Sequence, residues 1–246
     1  MSCAKAGRAL FFAALIALPV KRSAAQPLCA LPQEPVVLIS DGDAHKRGGR
    51  LLQVWEIADA PVLWSYADPA SAGYRDFALR RKEKVPNSDP LYLLAQGPQR
   101  NNALVVQNAK EWLRPATCLE KLLVGMQQER LDMFEVPSEF ASFVLRSGKR
   151  VRIYFYTNNQ DGLGRMTPIT DPILKDVKQG WRLQFGLHNH PFHPGQPALN
   201  GPPAPSVPDA HFHYNARDEL GLAEARITNG VDTVRIPAAA FDRFER

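Results

Sequence analysis

Apolar and polar residues alternate along this chain in two rhythms, one of strands and one of helices. Residues 36–39 and 51–55 are apolar, β-rich runs bounded by Gly and Asp, and they predict short strands. Residues 140–145 and 150–157 predict a strand pair turning at Ser147-Gly148, because Val151, Ile153 and Phe155 alternate with Arg152, Tyr154 and Tyr156. Residues 103–106 and 181–188 predict two more strands. Leu119, Leu122, Leu123 and Met126 recur at spacings of three and four, which predicts a helix over 115–130. Shorter helices are expected over 171–178 and 209–220. Asn229-Gly230, between the runs 223–228 and 231–236, is a strong hairpin signal. The mixture predicts an α/β (α+β) fold with a mixed β-sheet flanked by helices. Residues 26–100 read as a β-rich N-terminal extension of short strands and loops, ahead of a domain covering 101–246. The basic stretch 75–84 reads as a solvated helix end or loop.

The first 25 residues stand apart from this pattern. Lys5 and Arg8 precede an apolar run over 9–20, and Ser23-Ala24-Ala25 offers small residues before Gln26. That order describes a secretory signal peptide cleaved after Ala25, which places the mature protein in the periplasm or outside the cell. The apolar run is too short for a membrane span, which needs ~20 residues.

Removing the signal segment changes the charge picture. The whole chain carries 30 basic and 25 acidic residues, a formal charge of +5, but residues 1–25 hold four of the basic residues and no acid. The mature chain is therefore near +1, too neutral to argue for a nucleic-acid partner. Two cysteines remain, Cys29 and Cys118. An even count in an oxidising compartment predicts a disulfide between them.

Five of the six histidines lie between residues 188 and 213. The first two open the phrase Gly186-Leu187-His188-Asn189-His190-Pro191, which runs through a proline-rich stretch to Pro205-Ser206-Val207-Pro208-Asp209. Two residues one apart on a strand point to the same side, so His188 and His190 can grip one ion and Asp209 can supply a third donor. Two His and one carboxylate leave an open position on zinc, the arrangement of catalytic sites.

An upstream Glu, then His-x-His, then Ser-x-x-Asp resembles the JAMM (MPN-type) zinc metallopeptidases. His188-Asn189-His190-Pro191 is especially similar to the bacterial RadC-type branch. The resemblance covers roughly residues 101–246. It implies a three-layer, cytidine-deaminase-like arrangement and one Zn2+ held by His188, His190 and Asp209. It also implies that Glu139 orients and deprotonates the metal-bound water while Ser206 steadies the tetrahedral intermediate. Glu135 lies four residues earlier, but Pro137 would interrupt a strand running from it, whereas an apolar strand follows Glu139.

One departure sets the chain apart. Family members usually have seven residues between the second His and the Ser; here fifteen separate His190 from Ser206. With seven prolines and two glycines over 191–208, the segment forbids regular structure and can gate or line the cleft. His193, His211 and His213 read as loop and helix-surface residues, with His213 on the helical face of Asp209. Asn189 reads as a tie from its strand to the neighbouring loop.

These readings predict a secreted zinc hydrolase acting on peptide or isopeptide bonds, with cell-wall peptides or exported proteins fitting the compartment. Two other classes stay open: an inert binding module on the same scaffold, and a periplasmic metal-binding protein using all five clustered histidines. Oligomeric state is not legible in the sequence.

Overall fold

The computed structural model describes residues 29–246 except 44, 86, 98, 165, 194, 197 and 198. The signal-peptide reading of residues 1–25 therefore lies outside the described residues.

The strands are β1 (Val37–Asp41), β2 (Arg50–Ala58), β3 (Leu113–Pro115), β4 (Phe140–Ser147), β5 (Arg150–Thr157), β6 (Arg182–Asn189), β7 (Glu224–Thr228) and β8 (Asp232–Pro237). They form one eight-stranded mixed sheet in the order β1-β2-β5-β4-β6-β7-β8-β3. Only β6 and β7 run parallel; every other neighbouring pair is antiparallel. The helices are α1 (Pro61–Trp64), α2 (Ala72–Lys84), α3 (Pro90–Gln96), α4 (Arg100–Gln107), α5 (Ala109–Trp112), α6 (Cys118–Arg130), α7 (Thr167–Lys178) and α8 (Val207–Leu220). Mixed sheet and flanking helices agree with the α/β (α+β) expectation.

Period-two alternation sends side chains to two separate cores. Val54, Ala141, Phe143, Tyr154 and Leu183 join Ile169 and Ile173 of α7 and Ala210 and Leu220 of α8 on one face. Trp55, Val144, Ile153, Phe155 and Leu187 join Phe77 of α2 and Leu119 and Leu123 of α6 on the other. The central strand β4 is buried over its first six residues, as a strand covered on both faces should be.

Several elements differ from the sequence reading. Residues 30–100 hold two strands, but α1, α2 and α3 occupy much of the rest, where short strands and loops were expected. The basic stretch belongs to α2, and buried Arg81 donates to the Ser88 carbonyl at 2.6 Å. Residues 103–106, expected as a strand, lie inside α4. Four apolar residues fit either element, and here α4 buries Val105 against the first core. β2 pairs with β5 from Leu51 to Ala58, so residues on both sides of position 100 share the sheet.

A disulfide joins Cys29 to Cys118 at the start of α6, across 89 residues and with Cα atoms 5.8 Å apart. Cross-linking a long loop stabilises chiefly by restricting the unfolded chain. Cys29→Ser is expected to lower unfolding free energy by about 3 kcal/mol in denaturant titration. A loss below about 0.5 kcal/mol would show that the bond constrains little. Among the described residues, no helix is long and apolar enough to cross a membrane.

The parallel pair positions the site. Parallel neighbours need a crossover, and the chain makes it through the proline-rich segment and α8. The histidine motif ends β6 and Asp209 begins α8, so the crossover returns the carboxylate to the strand end it left.

Candidate metal centre

Three donor atoms meet where β6 ends. His188 lies on β6 and His190 one residue beyond it, and both rings turn to the face covered by α8. The Nε2 atoms of His188 and His190 are 3.2 Å apart. Asp209 Oδ2 lies 3.0 Å from His190 Nε2 and 3.5 Å from His188 Nε2. Donors at zinc distances of 2.0–2.2 Å in a tetrahedron stand roughly 3.3–3.6 Å from one another. The triangle therefore has nearly the size of one tetrahedral face, and His188, His190 and Asp209 form a group that can hold a metal ion.

Each donor is fixed by its own local structure. The Pro202 carbonyl accepts from His190 Nδ1 at 2.9 Å, which turns Nε2 toward the triangle. Ser206 caps α8: its hydroxyl accepts from the Asp209 backbone N–H at 3.3 Å, and the Ser206 N–H donates to Asp209 Oδ2 at 2.9 Å. This reciprocal pair is a capping box, which holds the Asp209 carboxylate in one rotamer. The Ser206 hydroxyl also donates to Asp209 Oδ2 at 2.6 Å.

Charge is concentrated here. Burial alone would lower the His190 pKa, but the hydrogen bond and negative charge of Asp209, with Glu139 nearby, push it up to about 9. Burial would raise Asp209, yet His188 and His190 outweigh it and hold the carboxyl well below its usual range.

Glu139 faces the same cavity as the three donors. Burial raises its carboxyl above the ordinary glutamate value, while His190 and His188 draw it back. Its backbone is pinned on both sides by the strand that carries the histidines. Asn189 Oδ1 accepts from Phe140 N–H at 2.9 Å, and Asn189 Nδ2 donates to the Ser138 carbonyl at 3.0 Å. Asn189 thus ties β6 to the two residues flanking Glu139. Glu135 is exposed and paired with Lys84 at 2.6 Å, away from the cavity lining.

The other histidines divide three ways. His211 is exposed, as expected. His193 is half-buried in the cavity wall, with Nε2 3.1 Å from Asp161 Oδ2. His213 departs from the surface reading: it is 4% exposed, with its ring centroid 5.7 Å from that of His188. Burial, with His188 beside it, pushes the His213 pKa down to about 3. One turn after Asp209, it faces inward because α8 packs that side on the sheet.

Three contributors were not assigned from the sequence. The Pro202 carbonyl carries no sequence signal, since any residue offers one. Asp161 lies far from the motif in the chain and joins it only through the fold. The capping role of Ser206 was legible, because Ser-x-x-Asp ahead of a helix is the capping signature as well as a metal-site one. Compared with protein-family models, curated proteins and solved structures, the chain matches none, and the site rests on its own geometry.

Proposed function

We propose that this chain is an exported zinc-dependent hydrolase of JAMM type that cleaves peptide or isopeptide bonds. The observation that carries this reading is the donor triangle of two imidazoles and one carboxylate, with Glu139 in the same cavity. Bound there, zinc supplies Lewis acidity toward a carbonyl and acidifies water. His188, His190 and Asp209 would hold it, leaving one position open to the cavity. Glu139 takes a proton from the attacking water and passes it to the leaving amine, a task suited to a carboxyl whose proton affinity burial has raised. Ser206 keeps Asp209 aimed, and as a cavity-lining hydroxyl it would donate to a developing oxyanion once released from that bond. The layered sheet is compatible with the JAMM arrangement, and the disulfide suits an oxidising compartment. Peptides of the cell wall or of exported proteins fit that compartment.

The test is metal stoichiometry. Elemental analysis of the zinc-loaded protein is expected to find one zinc per chain. His188→Ala should weaken binding by more than ~100-fold, because even an outer hydrogen-bond partner is worth 10–100-fold. Several ions per chain, lost when His193, His211 or His213 is replaced, would instead identify a metal-binding protein that uses the whole cluster.

A further inference from the structure

The cavity beside the donor triangle has a volume of about 730 Å³, the size of a small-ligand site. Its wall next to the donors is apolar. Phe143, Leu163, Met166, Leu199 and Phe212 line it, joined by Gly186. Among the described lining residues, the charged and titratable ones are the acids Glu139, Asp161 and Asp209 and the histidines His188, His190, His193 and His213, a set distinct from the apolar one.

The wall lies within one residue's reach of the donors. Phe212 follows Asp209 by three positions on α8, so the two are neighbours on one helix face. Gly186 precedes His188 by two positions on β6 and faces the same side. The missing side chain at Gly186 admits the Phe143 ring, since a Cβ there would lie 3.0 Å from Phe143 Cε1. Phe143 and Phe212 then meet edge to face, with ring centroids 6.0 Å apart. Leu199, half exposed on the proline-rich segment, extends the apolar surface to the rim.

We propose that this wall is a subsite for a bulky, uncharged apolar side chain on the residue flanking the scissile bond, a reading that rests on the zinc-dependent hydrolysis proposed above. An apolar side chain removes from water both itself and the partly exposed Phe212, Leu163 and Met166. A carboxylate placed against the Phe143 and Phe212 rings would lose hydration with no hydrogen-bond donor from them, so the wall disfavours acidic side chains.

Three hydroxamates serve as probes, because each presents the same zinc-binding group with a different side chain: acetohydroxamate, 3-phenylpropanohydroxamate and succinic monohydroxamate. Calorimetry on the zinc-loaded full chain is expected to show the phenyl probe binding about 30-fold tighter than acetohydroxamate, at about fourfold per buried methylene equivalent. The succinic probe should bind no tighter than acetohydroxamate. Phe212→Ala should collapse the phenyl-to-methyl ratio to about threefold, and Leu163→Asp, on the loop side of the wall, should also reduce it. Equal affinities for all three probes on a zinc-loaded protein, or a preference for the succinic probe, would overturn the subsite and leave the metal reading intact. A chain that takes up no zinc would overturn both.

Discussion

Glu139→Gln is expected to slow peptide hydrolysis by the zinc-loaded protein about 10³-fold while zinc affinity stays within about threefold of the native value. A positioned general acid–base contributes 10²–10⁴-fold, and glutamine keeps the shape of the side chain without taking a proton. Metal affinity should be little affected, because Glu139 is not one of the three converging donors. Its backbone is also held independently of its carboxyl, through Asn189 and through the Thr157 hydroxyl donating to the Glu139 carbonyl at 2.9 Å. Single-turnover hydrolysis of a peptide mixture alongside a zinc competition assay separates the two effects. If the zinc-loaded native chain hydrolyses nothing and the variant behaves identically, the site is a binding module and the hydrolase reading fails.

Phe192→Ala is expected to lower unfolding free energy by about 4 kcal/mol, within the usual range for a buried phenylalanine. Phe192 is fully buried although it sits in the proline-rich segment. Its ring stacks on Phe134 at 4.7 Å and lies 6.4 Å from Phe77. Gly201 closes over it so tightly that a Cβ there would lie 2.7 Å from Phe192 Cε1. The next residue, Pro202, supplies the carbonyl that orients His190. Losing the ring should therefore weaken zinc binding as well, by about 10-fold, the lower range for a lost outer partner. Denaturant unfolding and zinc competition measure the two losses. A stability change under about 1 kcal/mol would mean that the ring does not anchor the segment.

Legibility from the sequence followed the strength of local pattern. Strand β5 was visible through alternation at Val151, Ile153 and Phe155, and β4 through the apolar run of a strand buried on both faces. Helix α6 was visible through its leucine spacing. Helices α1 and α3 were missed although Pro61 and Pro90 stand at first helical positions and Asp89 caps the second, all known start signals. Their short lengths left too few turns for a period to show. At the site, the motif itself supplied His188, His190 and Asp209, which converge. What it could not supply was depth. Burial of His213, the Asp161–His193 pair and the clamp around Glu139 all arise from contacts between segments distant in sequence. Asn189 is the instructive case: it ties its strand to the loop at Ser138, as its place in the motif suggested, and also to Phe140 at the start of β4, from a buried position the sequence did not show.

The proline-rich segment closes on itself, with the Gly201 N–H donating to the Pro191 carbonyl at 3.0 Å. The Pro191–Gly201 hydrogen bond is thus a neck, and Phe192 roots the segment in the core. Chain length inside such a neck is decoupled from the spacing of His190 and Asp209 outside it, because longer loops add little closure cost. The length of the segment between Phe192 and Gly201 is therefore free to vary. Diversity in the rim of the cleft can accumulate there, in nature or by grafting, while the donors keep their places.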